Sequence, residues 1–190
     1  LALAYGRTED EVQTLAKLTE QFYRECCHLQ LFNFNEADLK LLIKGAKVYA
    51  IGEYIELDSS SQHTFYLIAN QSLPGLSHVD RVKLALLASY KNRDYFERFS
   101  QPFETWISKE ELKKIRDFGA ILKFVYALNM TKRNVVKHLA IENKGDDLLI
   151  EVVTSERAIA EMAQVEKQKK HIERVFKKNI QIVFNEEGWN

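Results

Sequence analysis

Residues 109–129 read KEELKKIRDFGAILKFVYALN, and residues 138–153 read HLAIENKGDDLLIEVV. In the first stretch Ile115, Phe118, Ile121, Leu122, Val125 and Leu128 recur at helical spacing behind Ser108, a good N-cap. In the second, His138 to Glu142 alternates, Asn143-Lys144-Gly145-Asp146 reads as a turn, and Leu148 to Val153 as a second strand. The period of the apolar pattern changes after Met130. That change divides the chain into a helical domain, 1–131, and a small unit, 132–190. In the small unit Ser155 and Glu156 open a helix to about Lys177, with an apolar face at Ile159, Met162, Ala163, Val165, Ile172 and Phe176. Ile180 to Phe184 forms a third strand. The order is ββαβ, with the helix expected to cover one side of the sheet. The fold class is α+β, mostly α.

Working back toward the start, Thr8 followed by Glu11 makes a capping box for a helix from about Glu9 to His28. Asn35 caps a second helix, with Gly52 expected to punctuate its end. Ser59 to Gln62 opens a third helix through Asn70. Leu73-Pro74-Gly75-Leu76 is a turn, and Ser77 caps a fourth helix to about Tyr90. Pro102 and Trp106 are placed in a connecting loop. Only 7 Gly and 2 Pro occur in 190 residues, which favours helix over a turn-rich β architecture.

Lys and Arg total 27, as do Asp and Glu, so no strong global attraction to nucleic acid or to a membrane surface is expected. The distribution is uneven: residues 1–60 carry six basic and ten acidic groups, residues 81–133 twelve basic and six acidic. The middle segment could offer a positive surface to an anion. No apolar run approaches the ~20 residues that span a bilayer. The two cysteines, Cys26 and Cys27, are adjacent. Neighbours on a helix diverge by roughly 100°, which disfavours a mutual disulfide and fits buried thiols in a reducing, cytoplasmic setting. The chain opens without Met, at Leu1-Ala2-Leu3, and reads as a piece of a longer protein. No nucleophile elbow, phosphate-binding loop, dinucleotide fingerprint or zinc-helix pattern is present. The five histidines, His28, His63, His78, His138 and His171, show no metal-ligand spacing.

One ordered set of segments carries more. Leu41 to Ile55 reads LLIKGAKVYAIGEYI, His63 to Asn70 reads HTFYLIAN, Leu73 to Ser77 reads LPGLS, and Val82 to Tyr90 reads VKLALLASY. This order resembles the helical C-terminal half of the exopolyphosphatase/guanosine pentaphosphate phosphohydrolase family, whose helices are similar to the HD superfamily. There the segments read A-x-x-L-H-[DE]-[IV]-G, H-x-x-Y-x-[IL]-x-N, L-P-G-F and a helix ending Y-H-R. Leu3-Ala4-Tyr5, the Ile121–Asn129 segment and the ββαβ tail extend the resemblance over nearly the whole chain.

The departures bear on mechanism. Tyr49-Ala50 stands where the pattern has His-Asp or His-Glu, Tyr90-Lys91-Asn92 where it has Y-H-R, and Asn129 where active HD enzymes have an Asp. Metal-dependent hydrolysis needs imidazoles and carboxylates around a divalent ion. With only His63 kept, Tyr49, Ala50, His63 and Asn129 form a vestigial pocket, so no metal and no catalytic residue is expected here.

The resemblance implies that hydrolysis of polyphosphate or pppGpp belongs to an N-terminal actin-like half, which would carry the Mg requirement. It also implies that the helical half extends the substrate channel and contributes to a homodimer. A polyanion is held by rows of Lys and Arg. The candidates are Lys83, Lys91, Arg93, Arg98, Lys113, Lys114, Arg116 and Lys123, with Lys91 foremost because it occupies the place of the Y-H-R histidine. The alternatives are a structural or dimerisation module without ligand and, less favoured, an independent HD hydrolase. No nucleic-acid or membrane partner is expected.

Overall fold

The computed structural model describes residues 1–188, so the last two positions of the 132–190 unit lie outside the described residues. Helices α1 (Glu9–His28), α2 (Glu36–Val48), α3 (Ser60–Asn70), α4 (His78–Ala88), α5 (Arg93–Ser100) and α6 (Lys109–Ala127) precede strands β1 (Val136–Lys144) and β2 (Asp147–Thr154). Helix α7 (Ile159–Phe176) and strand β3 (Asn179–Glu186) complete the chain, and short 3-10 turns cover Ala2–Tyr5, Ile51–Tyr54 and Gln101–Phe103.

Local chemistry sets the helix starts. Thr8, Asn35, Ser77 and Ser108 each accept a hydrogen bond from the backbone N–H three residues on, satisfying a donor that the helix leaves orphaned. The capping box at Thr8 is only half made. The Glu11 carboxylate turns to Arg7 instead of returning to the Thr8 amide. Asn92 caps α5 in the same way. That helix was not anticipated from sequence, because its eight residues bury only Phe96 and Ser100.

Helix α6 is central. Ile115, Phe118, Ile121, Leu122, Phe124, Val125 and Leu128 are buried, and α6 packs on α1, α2, α4 and α7. The sheet order is β1-β2-β3. The first pair is antiparallel and the second parallel, with α7 as the crossover that a parallel connection requires. Ile141, Ile150 and Ile182 stand side by side across the sheet, as do Leu139, Val152 and Phe184. Leu139, Ile150, Val165 and Ile172 share one continuous core with Phe22, Phe118 and Phe124 of the helices. A smaller cluster gathers Ala2, Val48, Ile51, Ile68, Leu84, Ala85 and Ala88.

Three details differ from the sequence expectation. Helix α2 stops at Val48, and the chain turns through Ala50 in the left-handed region (φ 55°) rather than at Gly52. Gly52 serves a close approach instead: a Cβ there would lie 2.3 Å from the Ser60 carbonyl oxygen and 2.5 Å from the Thr64 nitrogen. Helix α7 starts at Ile159, not Ser155, because the Ser155 amide is held by the Val135 carbonyl as an extension of the sheet. Its apolar face is only partly covered. Val165 and Ile172 are buried, whereas Ile159 and Met162 are 60% and 46% exposed beside Ile182 and Phe184 of β3. Glu161 is buried in the same turn, its carboxylate accepting from the Thr131 amide and hydroxyl.

The two sheet edges are treated differently. Along β1, the Leu139 amide donates to Gln21 Oε1 at 3.3 Å and the Ile141 amide to Glu25 Oε2 at 3.1 Å, so α1 side chains close that edge. Along β3, the pairing with β2 directs the amides of Ile180, Ile182 and Phe184 outward, and Glu173 takes that of Ile180. Among the described residues no helix is long and apolar enough to cross a membrane.

Gly52→Ala is expected to destabilise the fold by about 2 kcal/mol or more, because the obstructing atoms are backbone. Urea-unfolding midpoints measure it. The exposed Gly75→Ala, a left-handed glycine with open space around it, should cost only about 1 kcal/mol through its positive φ.

Candidate functional site

A cavity of about 490 Å³ opens between the end of α2, the end of α4, α6 and α7. Tyr49, Ala50 and Glu53 line it from the first, Lys91 from the second, Lys123 and Tyr126 from the third, and Gln164 and Gln168 from the last. The left-handed turn at Ala50, held by its amide to the Ala88 carbonyl, brings the α2 end against α4.

Beneath the cavity lies a buried polar network. The Arg7 guanidinium pairs with Glu11, donates to the Tyr49 carbonyl at 2.9 Å and to the Tyr126 hydroxyl at 3.2 Å, and lies 4.9 Å from the Tyr126 ring centre. The Tyr126 hydroxyl in turn donates to Glu53 Oε2 at 2.6 Å. The Tyr49 hydroxyl donates to the Tyr90 carbonyl at 2.6 Å, and burial holds its pKa well above the usual phenol range. The site therefore contains a neutral phenol already committed to a backbone carbonyl.

The sequence-identified pocket residues divide. Tyr49 and Ala50 line the cavity. His63 stands apart, half-buried on α3, with Nε2 3.7 Å from Glu56. Asn129 is buried past the end of α6, its side chain exchanging hydrogen bonds of 2.9 and 3.0 Å with Asn134. These donors do not fit a divalent ion: one phenol is engaged, one position has no donor, and the remaining two point to other partners. Among the described residues, no group of three His, Cys, Asp or Glu converges in metal-holding geometry. Cys26 is buried and Cys27 half-buried, both as free thiols.

The eight candidate cations divide more sharply. Lys83 pairs with Glu111 at 2.5 Å, Arg93 with Glu97 at 2.6 Å, Lys113 with Asp117 at 2.9 Å and Lys114 with Asp38 at 2.8 Å, while Arg116 lies 3.7 Å from Asp117. Carboxylates already answer those charges. Lys91 and Arg98 instead lie over the Tyr95 ring, 4.8 and 5.1 Å from its centre. The Lys123 ammonium donates to the Lys91 carbonyl, and burial together with Lys170, Lys91 and Lys167 pushes its pKa down to about 8. Lys167 and Lys170 belong to α7, outside the segment whose composition was basic. The Lys167-Gln168-Lys169-Lys170-His171 run was the available signal for them. Next to them His171 is held neutral, its pKa lowered to about 4 by burial and by Lys123, Lys170 and Arg174. The Tyr90 hydroxyl lies 3.5 Å from His171 Nδ1.

The sequence model of the family described as Ppx/GppA phosphatase, domain III, matches residues 7–173. The chain belongs to this family. The match runs from Arg7 of the buried network to the last turn of α7, so it contains every residue lining the cavity. Domain III is a C-terminal part of exopolyphosphatase/GppA-like proteins, in keeping with the resemblance read from the sequence segments. No curated protein matches the chain.

Two measurements probe the site's construction. Arg7→Ala strands the buried Glu11 carboxylate and is expected to cost about 3–5 kcal/mol in urea unfolding, far more than loss of an exposed pair such as Arg93–Glu97. Folded His171 protonates only near pH 4, whereas the unfolded chain takes up that proton near the ordinary 6.5. The unfolded state binds the extra proton across that window, so stability falls as pH is lowered from 6.5 toward 4. His171→Gln should flatten this slope.

Proposed function

We propose that this domain III is a non-catalytic C-terminal part of an exopolyphosphatase/pppGpp phosphohydrolase-like protein, and that its lysine-rich cavity guides the phosphate chain of the substrate. The supporting observation is that Lys91, Lys123 and Lys132 line one cavity beside Glu53 and Asp58, that Lys167 and Lys170 add positive charge near Lys123, and that none of these lysines forms an ion pair among the described residues. Bringing like charges together costs free energy unless an anion answers them. Burial first, and then the neighbouring lysines, depress the pKa of Lys123. Polyphosphate, a flexible polyanion, releases counterions on such a cluster and makes affinity strongly salt-dependent. Hydrolysis, with its Mg, is assigned to the actin-like N-terminal half of the parent, which is also the domain's partner. The setting is the cytoplasm.

A second reading, a homodimerisation module, rests on the outward amides of Ile182 and Phe184 beside exposed Ile159, Met162 and Val183. Another copy presenting the same edge would satisfy both. Sedimentation equilibrium distinguishes the two readings, since substrate guidance does not require self-association by this chain.

The test of the first reading is titration with long-chain polyphosphate at two salt concentrations. Lys91→Ala combined with Lys170→Ala should weaken binding by roughly 10-fold or more and lower the salt slope by about two ions. Lys113→Ala, which removes an already paired charge, should change affinity by no more than about twofold. Equal effects of the two would discard the cavity as the binding site.

A further inference from the structure

The two ends of the open β3 edge are unequal. The amides of Asn179 and Glu187 donate inward, to the Asp146 and Thr154 carbonyls, so the odd residues of β3 pair with β2 and the even ones face out. Of the outward amides, that of Ile180 is taken by Glu173 Oε2 at 3.1 Å. The amides and carbonyls of Ile182, Phe184 and Glu186 have no partner among the described residues. Edge strands are normally guarded by Lys, Pro or a covering element. Here Asn179 to Asn185 carries neither charge nor proline, whereas Gln21 and Glu25 close the β1 edge. Beside the open run a groove of about 670 Å³ lies between β3 and α7, lined by Ile182, Phe184 and Val165 and flanked by the exposed Ile159 and Met162.

We infer that this edge pairs with the same edge of a second copy, antiparallel and about a two-fold axis through Phe184. The inference rests on the self-association reading and carries it to a register. The open run is symmetric about Phe184. A two-fold there sets Ile182 opposite Glu186 of the other copy, Phe184 opposite Phe184, and Glu186 opposite Ile182. In an antiparallel ladder such pairs exchange both N–H···O bonds, so every open amide meets an open carbonyl. The Ile180 amide held by Glu173 is left undisturbed. A register centred on Val183 would instead set Glu186 against Ile180 of the other copy, bringing its carboxylate toward that of Glu173. Directly opposed residues project to the same face of a sheet. The Phe184 pair therefore stands on the α7 side, between the Ile159 and Met162 side chains of both copies, and their apolar surface leaves water together. With no charge before Glu186 in the strand, no like charges come face to face. Two three-stranded sheets become one of six strands, and both open edges disappear.

The experiment begins with sedimentation equilibrium of the whole chain over a range of concentrations, where a monomer–dimer equilibrium is expected. Glu186→Pro deletes an outward N–H and no bond inside the protein. It is expected to raise the dimer Kd by roughly 10-fold or more while the monomer stays folded. Cross-linking reads the register, in a Cys27→Ser background that removes the half-buried thiol. The two-fold through Phe184 places Val183 opposite Asn185 of the other copy as a non-hydrogen-bonded pair, with Cα atoms about 4.5 Å apart and within disulfide reach. Val183→Cys combined with Asn185→Cys is therefore expected to oxidise to a covalent dimer, its 183–185 link identified by peptide mass spectrometry. Val183→Cys alone should stay uncoupled, because its counterpart lies on the diagonal, about 7–8 Å away. A covalent dimer from Val183→Cys alone overturns the register. A dimer indifferent to Glu186→Pro that forms no 183–185 link overturns the edge pairing and leaves self-association to another surface. A protein monomeric at every concentration overturns the pairing and the self-association reading together, and leaves this edge to a strand of a different chain.

Discussion

The Arg7 guanidinium is the tie on which the cavity depends. It joins the start of the chain to α1 through Glu11, to the end of α2 through the Tyr49 carbonyl, and to α6 through Tyr126. Each partner belongs to a different element, and each is buried or nearly so. A charge taken out of water is tolerated only when its donors are filled. Arg7 fills most of them with fixed backbone and side-chain acceptors, which fixes the relative positions of those elements. Among the described residues Glu11 Oε2 has no partner, a local cost that the network carries.

That polar floor fills the base of the cavity with side chains already engaged in hydrogen bonds. Tyr49 occupies the approach with a phenol that donates to the Tyr90 carbonyl, directly before Lys91. The same hydrogen bond that keeps Tyr49 from serving any other acceptor anchors the backbone from which Lys91 projects. Positive charge from Lys91 and Lys123 then stands beside that engaged phenol in the cavity wall. The charged groups lining the cavity are thus the amines of Lys91, Lys123 and Lys132 and the carboxylates of Glu53 and Asp58.

Much of this was legible in the sequence. The N-caps at Thr8, Asn35, Ser77 and Ser108, the long apolar face of α6 and the change of period after Met130 are local signals, and local signals survive translation into structure. The proximity of Tyr49 to Lys91 was legible only through the family pattern. Helix α5 was missed because a short, charge-rich segment buries too little to show a period. The pairing of Lys114 with Asp38 and of Lys83 with Glu111 was hidden because each joins residues far apart in the chain. For the same reason Lys167 and Lys170 were overlooked: they lie beyond the period change, on a helix that folds back against α6.

The closing of the β1 edge by α1 has a kinetic side. Gln21 and Glu25 reach strand residues 118 and 116 positions later in the chain. Contacts of such separation carry a large loop-closure entropy and form after local helices and the β1–β2 hairpin. Until α1 docks, the hairpin presents two bare edges instead of one, next to an apolar face that includes Leu139, Ile141 and Ile150. A hairpin formed before α1 docks would leave that edge open to pairing with other chains. The docking of α1 is what withdraws that opportunity.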